Sequence, residues 1–110
     1  MPLEMHEFKL TLNKRNPWNF FLLDGTDFPA HNRCLLVVCR SDDPTVVWHS
    51  KVTQRSTDRR LVCGVQVPHR IADDKRPYES ETLDITVTNA DDPADEDTLE
   101  DVPVEIVDEP

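Results

Sequence analysis

Apolar side chains return at every second position in this chain, in one short run after another, and that period marks strands with one buried and one exposed face. Phe8, Leu10 and Leu12 alternate with Glu7, Lys9 and Thr11. Val46, Trp48, Ser50 and Val52 alternate with Val47, His49 and Lys51, and Leu61, Cys63, Val65 and Val67 with Val62, Gly64 and Gln66. Gln54 to Arg59 lies between these two runs, which predicts a hairpin with a basic tip. Leu83, Ile85 and Val87, then Val102, Val104 and Ile106, repeat the pattern. Two runs do not alternate. Trp18 to Leu23 is a dense apolar strand closed by the turn Leu23-Asp24-Gly25-Thr26. Cys34 to Cys39 is apolar on both sides, as a central strand covered on both faces would be.

No stretch holds a 3.6-residue period over three turns, and nine prolines add to the case against long helices. The predicted fold class is therefore all-β: a small antiparallel β-sandwich or barrel of about seven short strands, with an extended acidic C-terminal arm. The expected core is Phe8, Leu10, Leu12, Phe20, Leu22, Leu36, Val38, Trp48, Val65, Ile85 and Val87.

The chain has 110 residues, which suits one domain. Its 37% apolar and 31% charged residues are low and high for a compact domain, and a body with a polar extension accounts for both. Charge divides the chain in the same way. Met1 to Arg76 carries 12 basic and 9 acidic residues, whereas Pro77 to Pro110 carries no basic and 13 acidic ones. The predicted organisation is a β-rich body over 1–88 and an acidic linker and arm over 89–110, in which 102–107 can add a strand. Asn89 to Asp101 alone would be disordered, because its like charges repel and little of it can be buried.

No apolar run approaches the roughly 20 residues of a membrane span. The start, Met1-Pro2-Leu3-Glu4-Met5-His6-Glu7, lacks the basic and apolar segments of a signal peptide. Three cysteines cannot all pair with one another, and an odd count favours reduced thiols. The expected location is the cytoplasm, or a virion assembled there, rather than secretion by a signal peptide.

Cys34, Cys39, Cys63 and His69 are the candidate zinc ligands. Cys34 and Cys39 are five positions apart, so in one strand they point to opposite faces and cannot share a tetrahedral site. Small buried hydrophobes in strands fit them better. Asp91, Asp92, Asp95, Glu96 and Asp97 could meet calcium, but without the glycine and spaced carboxylates of a calcium loop. His6, His31, His49 and His69 are scattered, and no glycine-rich elbow accompanies a serine. His49 follows Trp48 in a strand, so it is expected at the surface. Gly25 and Gly64 are the only glycines, which leaves no phosphate-cradling loop of the usual type. The reading is non-enzymatic, with no cofactor, metal or small-molecule substrate.

Basic residues gather at Lys14-Arg15, at Arg55, Arg59 and Arg60, and at Arg70, Lys75 and Arg76. The acidic third would compete for those cations and repel phosphate, which argues against direct nucleic-acid binding. The function expected is that of a structural or assembly protein. It would bind copies of itself or a protein scaffold, as a homo-oligomer or larger assembly, through β edges and the charged arm. A viral or phage particle component, a capsid decoration or tail protein, is the setting such a chain would fit. The partner-binding residues expected are Asp95, Glu96, Asp97, Val102, Val104 and Ile106 of the arm and Arg55, Arg59 and Arg60 of the basic tip. The alternative is an acidic inhibitor that imitates nucleic acid or blocks a basic site on an enzyme.

Overall fold

The computed structural model describes residues 3–24, 28–55, 60–72 and 81–110. Among the described residues, eight strands form two sheets: β1 (Leu10–Asn13), β2 (Asn19–Asp24), β3 (Cys34–Arg40), β4 (Val47–Trp48), β5 (Ser50–Arg55), β6 (Arg60–Val65), β7 (Thr82–Asn89) and β8 (Asp92–Val107). The larger sheet has the order β1-β8-β7-β3-β4 and the smaller β2-β6-β5. The pairings are antiparallel except β1 with β8, which is parallel. The fold is all-β, and the only helical pieces described are short turns at His31–Arg33 and His69–Ala72. No helix among the described residues is long and apolar enough to cross a membrane.

One core joins the two sheets. Leu10, Leu12, Val38, Trp48, Leu83, Ile85, Val87, Val102 and Val104 of the larger sheet are buried with Phe21, Leu23, Leu61, Cys63 and Val65 of the smaller. Burying each of these large side chains contributes roughly 1.5–3 kcal/mol before chain entropy is counted. The chain passes between the sheets at His49, between β4 and β5.

Three members of the expected core are not in it. Phe20 and Leu22 are 57% and 43% exposed, and Phe21 and Leu23 are buried in their place. The run Trp18 to Leu23 has no polar alternation to set its register, so either face could have turned inward. The register is set by polar anchors at the strand start. Asn19 is buried, its Oδ1 accepting from Asn13 N at 2.8 Å and its Nδ2 donating to Asn13 O at 3.0 Å. Phe8 is 80% exposed because β1 begins only at Leu10. Leu36 is half-buried against the core.

β3 was expected to be covered on both faces, but it is covered on one. Val38 is buried, whereas Leu35 and Val37 are exposed with Val47 of β4 on the outer side. Among the described residues, β4 pairs only with Val38 and Cys39, which leaves Cys34 to Val37 at a sheet edge.

The acidic linker is not a linker. β8 is a single strand of 16 residues that starts at Asp92, and most of it pairs with β7 or β1. A segment with this composition would not order alone, but both of its ends are fixed. Val102 and Val104 are buried at one end, and the turn Asn89–Asp92 closes a hairpin with β7 at the other. Between them Thr86 pairs with Thr98 and Thr88 with Glu96. The extended arm expected beyond residue 88 is thus part of the larger sheet, between β1 and β7.

The hairpin is bent by a bulge. Leu83 faces Val102 and Ile85 faces Leu99, so Asp84 alone opposes Glu100 and Asp101. Asp101 adopts φ 55, the left-handed region. Its N–H donates to Asp84 Oδ1 at 3.0 Å, and the same oxygen accepts from Ser41 Oγ at 2.7 Å. Aspartate tolerates this conformation better than most residues other than glycine and asparagine.

Candidate functional site

Two surfaces stand out. The first is the outer face of the β2-β6-β5 sheet. Phe20 lies opposite Gly64, Leu22 opposite Val62, and Lys51 opposite Gly64 from the other side. The glycine lets side chains approach the backbone closely there. A Cβ on Gly64 would stand 3.1 Å from Phe20 Cε1 and 3.2 Å from Trp18 Cε3, so the two rings lie directly over the backbone of β6. Trp18 is held in turn by Lys51, whose Nζ is 4.0 Å from the ring centroid, and by His49, whose ring centroid is 5.4 Å away. Such a cation–π contact contributes about 0.5–1 kcal/mol at an exposed site and orders the indole. At the margin of this face Asp24 pairs with Arg60 at 2.9 Å and with His6, and exposed Glu4 bridges the Asp24 backbone beside it.

The second surface is an open groove of about 720 Å³ between the β1–β2 turn and the ends of β4 and β6. Lys14, Arg15, His49 and His69 line it with Trp48 and Gln66, and no acidic residue is among the described ones that do. That is notable in a chain of net charge −10. Asp108 reaches its rim, pairing with Arg15 and standing 3.7 Å from Lys14 Nζ. The hydrogen bond from Arg15, supported by the charges of Arg15 and Lys14, holds the Asp108 carboxyl below its ordinary range. Trp48 is 1% exposed, and its indole N–H has no acceptor among the described residues. A buried donor left so costs about 1–3 kcal/mol.

The residues singled out from the sequence fall in different places. Asp97 accepts the Leu3 N–H at 2.6 Å and so ties down the start of the described chain. Asp95 accepts from Asn89 Nδ2 and Glu96 from Thr88 Oγ1, each at 3.4 Å. All three acids therefore lie on the β7–β8 hairpin and make contacts within it or with Leu3. Val102 and Val104 lie in the chain's own core, and Ile106 packs against it. Arg60 is the basic-tip residue that is placed, against Asp24. Arg59, Lys75 and Arg76 lie outside the described residues, and of Arg55 only the backbone, closing β5, is described. His49 is exposed, as expected beside buried Trp48.

No disulfide forms: Cys34 and Cys63 are buried, and Cys39 is half-buried. Burial, with a smaller contribution from Cys34, pushes the Cys63 thiol up to about 12. Burial and the charge of Asp84 also raise Cys39. No cluster of three or more histidine, cysteine or acidic side chains suited to a metal occurs among the described residues.

Reading Phe20 and Leu22 as inward-facing hides the aromatic face, because the run Trp18 to Leu23 is apolar on both sides. Gly64 was the available signal: a glycine inside an alternating strand marks a close approach from across the sheet. The groove joins Lys14 to His69 across the fold, and no local pattern announces that.

These features define an all-β protein of two facing sheets with an aromatic outer surface. Compared with protein-family models, with curated protein sequences and with solved structures, the chain matches none.

Proposed function

We propose that this chain is a non-enzymatic assembly protein, and that the outer face of β2-β6-β5 packs against the same face of a second copy. The observation that carries this reading is the exposure of Phe20 and Leu22 beside an ordered Trp18. Aromatic side chains held in one conformation lose little entropy on contact, and they dominate interface energetics. A two-fold contact uses each of them twice, so six large apolar side chains meet. Fully burying each contributes roughly 1.5–3 kcal/mol. Lys51 on the face, and the pairing of Asp24 with Arg60 at its margin beside Glu4, lessen the repulsion expected between copies of net charge −10.

Cysteine chemistry offers little to a catalytic reading. A thiol raised to about 12 is not a thiolate near neutral pH, and Cys63 is fully buried. Edges add to the assembly reading: β4 ends the larger sheet after two residues, and β5 ends the smaller. Contact between copies is what a particle component, viral or phage, requires. Sedimentation of the full chain tests the reading. The mass should rise with concentration, and Leu22→Asp should lower the association constant by a hundredfold or so while the circular dichroism stays unchanged. Association equal to that of the unaltered chain would remove the aromatic face from the interface. A concentration-dependent mass that appears only with a basic target protein would favour the acidic inhibitor instead.

A further inference from the structure

We propose that the acidic β7–β8 turn of one copy docks in the basic groove of another, so that the protein joins end to end. This inference rests on the self-assembly reading above but uses different residues. The groove and the turn are opposite in charge. Lys14 and Arg15 are the charged residues that line the groove, with Asp108 as their carboxylate at its rim, whereas Asp91, Asp92 and Glu96 are exposed on the hairpin. Arg33, 3.5 Å from Asp91, is the one cation near them among the described residues. Asp92 and Glu96 have no Lys or Arg partner among those residues.

Trp48 is one of the groove's lining residues, and the buried indole N–H has no acceptor among the described residues. The indole nitrogen is closed to solvent, so an occupant of the groove meets the outer lining, and the Trp48 resonance reports it from beneath. Asp108 already shows that Arg15 and Lys14 take a carboxylate at the rim. Because that pair is exposed, an incoming carboxylate can join or replace it.

Position makes the contact heterologous. β8 leaves the turn at Asp92 and ends at Val107, whose carbonyl accepts the Lys14 N–H at 3.0 Å. The strand therefore runs from the acidic turn to the groove, and the two lie at opposite ends of the larger sheet. Two different patches at opposite ends can each engage a separate copy. They build rings or open chains, whereas the aromatic face builds closed pairs.

The test uses two charge-reversed versions of the full chain, Lys14→Glu with Arg15→Glu, and Asp92→Lys with Glu96→Lys. All four positions are at or near the surface, and circular dichroism checks the fold. At low salt, native mass spectrometry should show the unaltered protein growing beyond the pair. Each variant alone should stop at the pair, with end-to-end association weakened about tenfold or more. The mixture should grow again, since each variant supplies the half that the other lacks. In the mixture the Trp48 indole N–H resonance, assigned with Trp18→Phe, should shift, since Trp48 underlies the groove. Variants that grow as the unaltered chain does, or a mixture that stops at the pair, would overturn the end-to-end contact. An unaltered protein that never exceeds the pair overturns it too while leaving the aromatic face intact, and one that is monomeric at every concentration overturns both readings. Inorganic phosphate that shifts the indole resonance without changing the mass would make the groove a small-anion site and overturn the second-copy occupant.

Discussion

Phe20 lies across Gly64: the ring's Cε1 would stand 3.1 Å from a β-carbon placed on that glycine. The contact is tight but its far side is open, because Phe20 is an exposed ring that can swing away. Gly64→Ala should therefore leave stability within about 1 kcal/mol of the parent, the lower entropy of the unfolded chain offsetting part of the crowding. Association should fall much more than stability, since the displaced ring no longer lies flat on the sheet. Denaturant titration and sedimentation on the same variant check both halves.

The bulge in β8 gives a second test. Asp101 sits at φ 55. Asp101→Gly should be neutral or mildly stabilising. Asp101→Val should cost about 1–2 kcal/mol, because a β-branched residue resists the left-handed region. Urea midpoints at constant slope measure the difference.

The larger sheet depends on β8. Removing Leu99 to Pro110 deletes buried Val102 and Val104 and separates β1 from β7. The truncated chain should be unfolded by circular dichroism and digested rapidly by protease. Val104→Ala and Ile85→Ala should destabilise by about 1–3 and 2–5 kcal/mol, whereas Phe8→Ala should change little.

Alkaline stability follows from Cys63. Burial raises its thiol from 9.0 to about 12, so above pH 9 the unfolded chain releases a proton that the folded chain retains. Stability from this group is present in full below pH 9 and falls between pH 9 and about 12. The slope is at most about 1.4 kcal/mol per pH unit. Denaturation midpoints of the parent and of Cys63→Ala should converge as pH rises through that window.

The sequence shows the class of fold clearly and the working surface poorly, for identifiable reasons. Leu83, Ile85 and Val87 alternate with polar residues, and all three are buried as that pattern requires. Within Trp18 to Leu23 only Asn19 is polar, so the register depends on the bonds of its side chain to the Asn13 backbone. The stretch Asp92 to Thr98 reads as a tether because its side chains carry charge. What orders it is backbone pairing with β7, which composition cannot reveal. The groove needs Lys14, Trp48 and His69 from three distant segments, and only the folded topology brings them together.

The central claim is that the Trp18–Phe20–Leu22 face meets a second copy, and side-chain footprinting tests it most directly. Hydroxyl-radical oxidation is measured residue by residue from dilute to concentrated protein. Phe8, 80% exposed and outside this face, serves as the internal control. Oxidation of Trp18 and Phe20 should fall as concentration rises, in step with the sedimentation mass, while that of Phe8 stays constant. Phe20 that oxidises as fast in concentrated as in dilute solution, at a concentration where the mass has risen, would contradict the account.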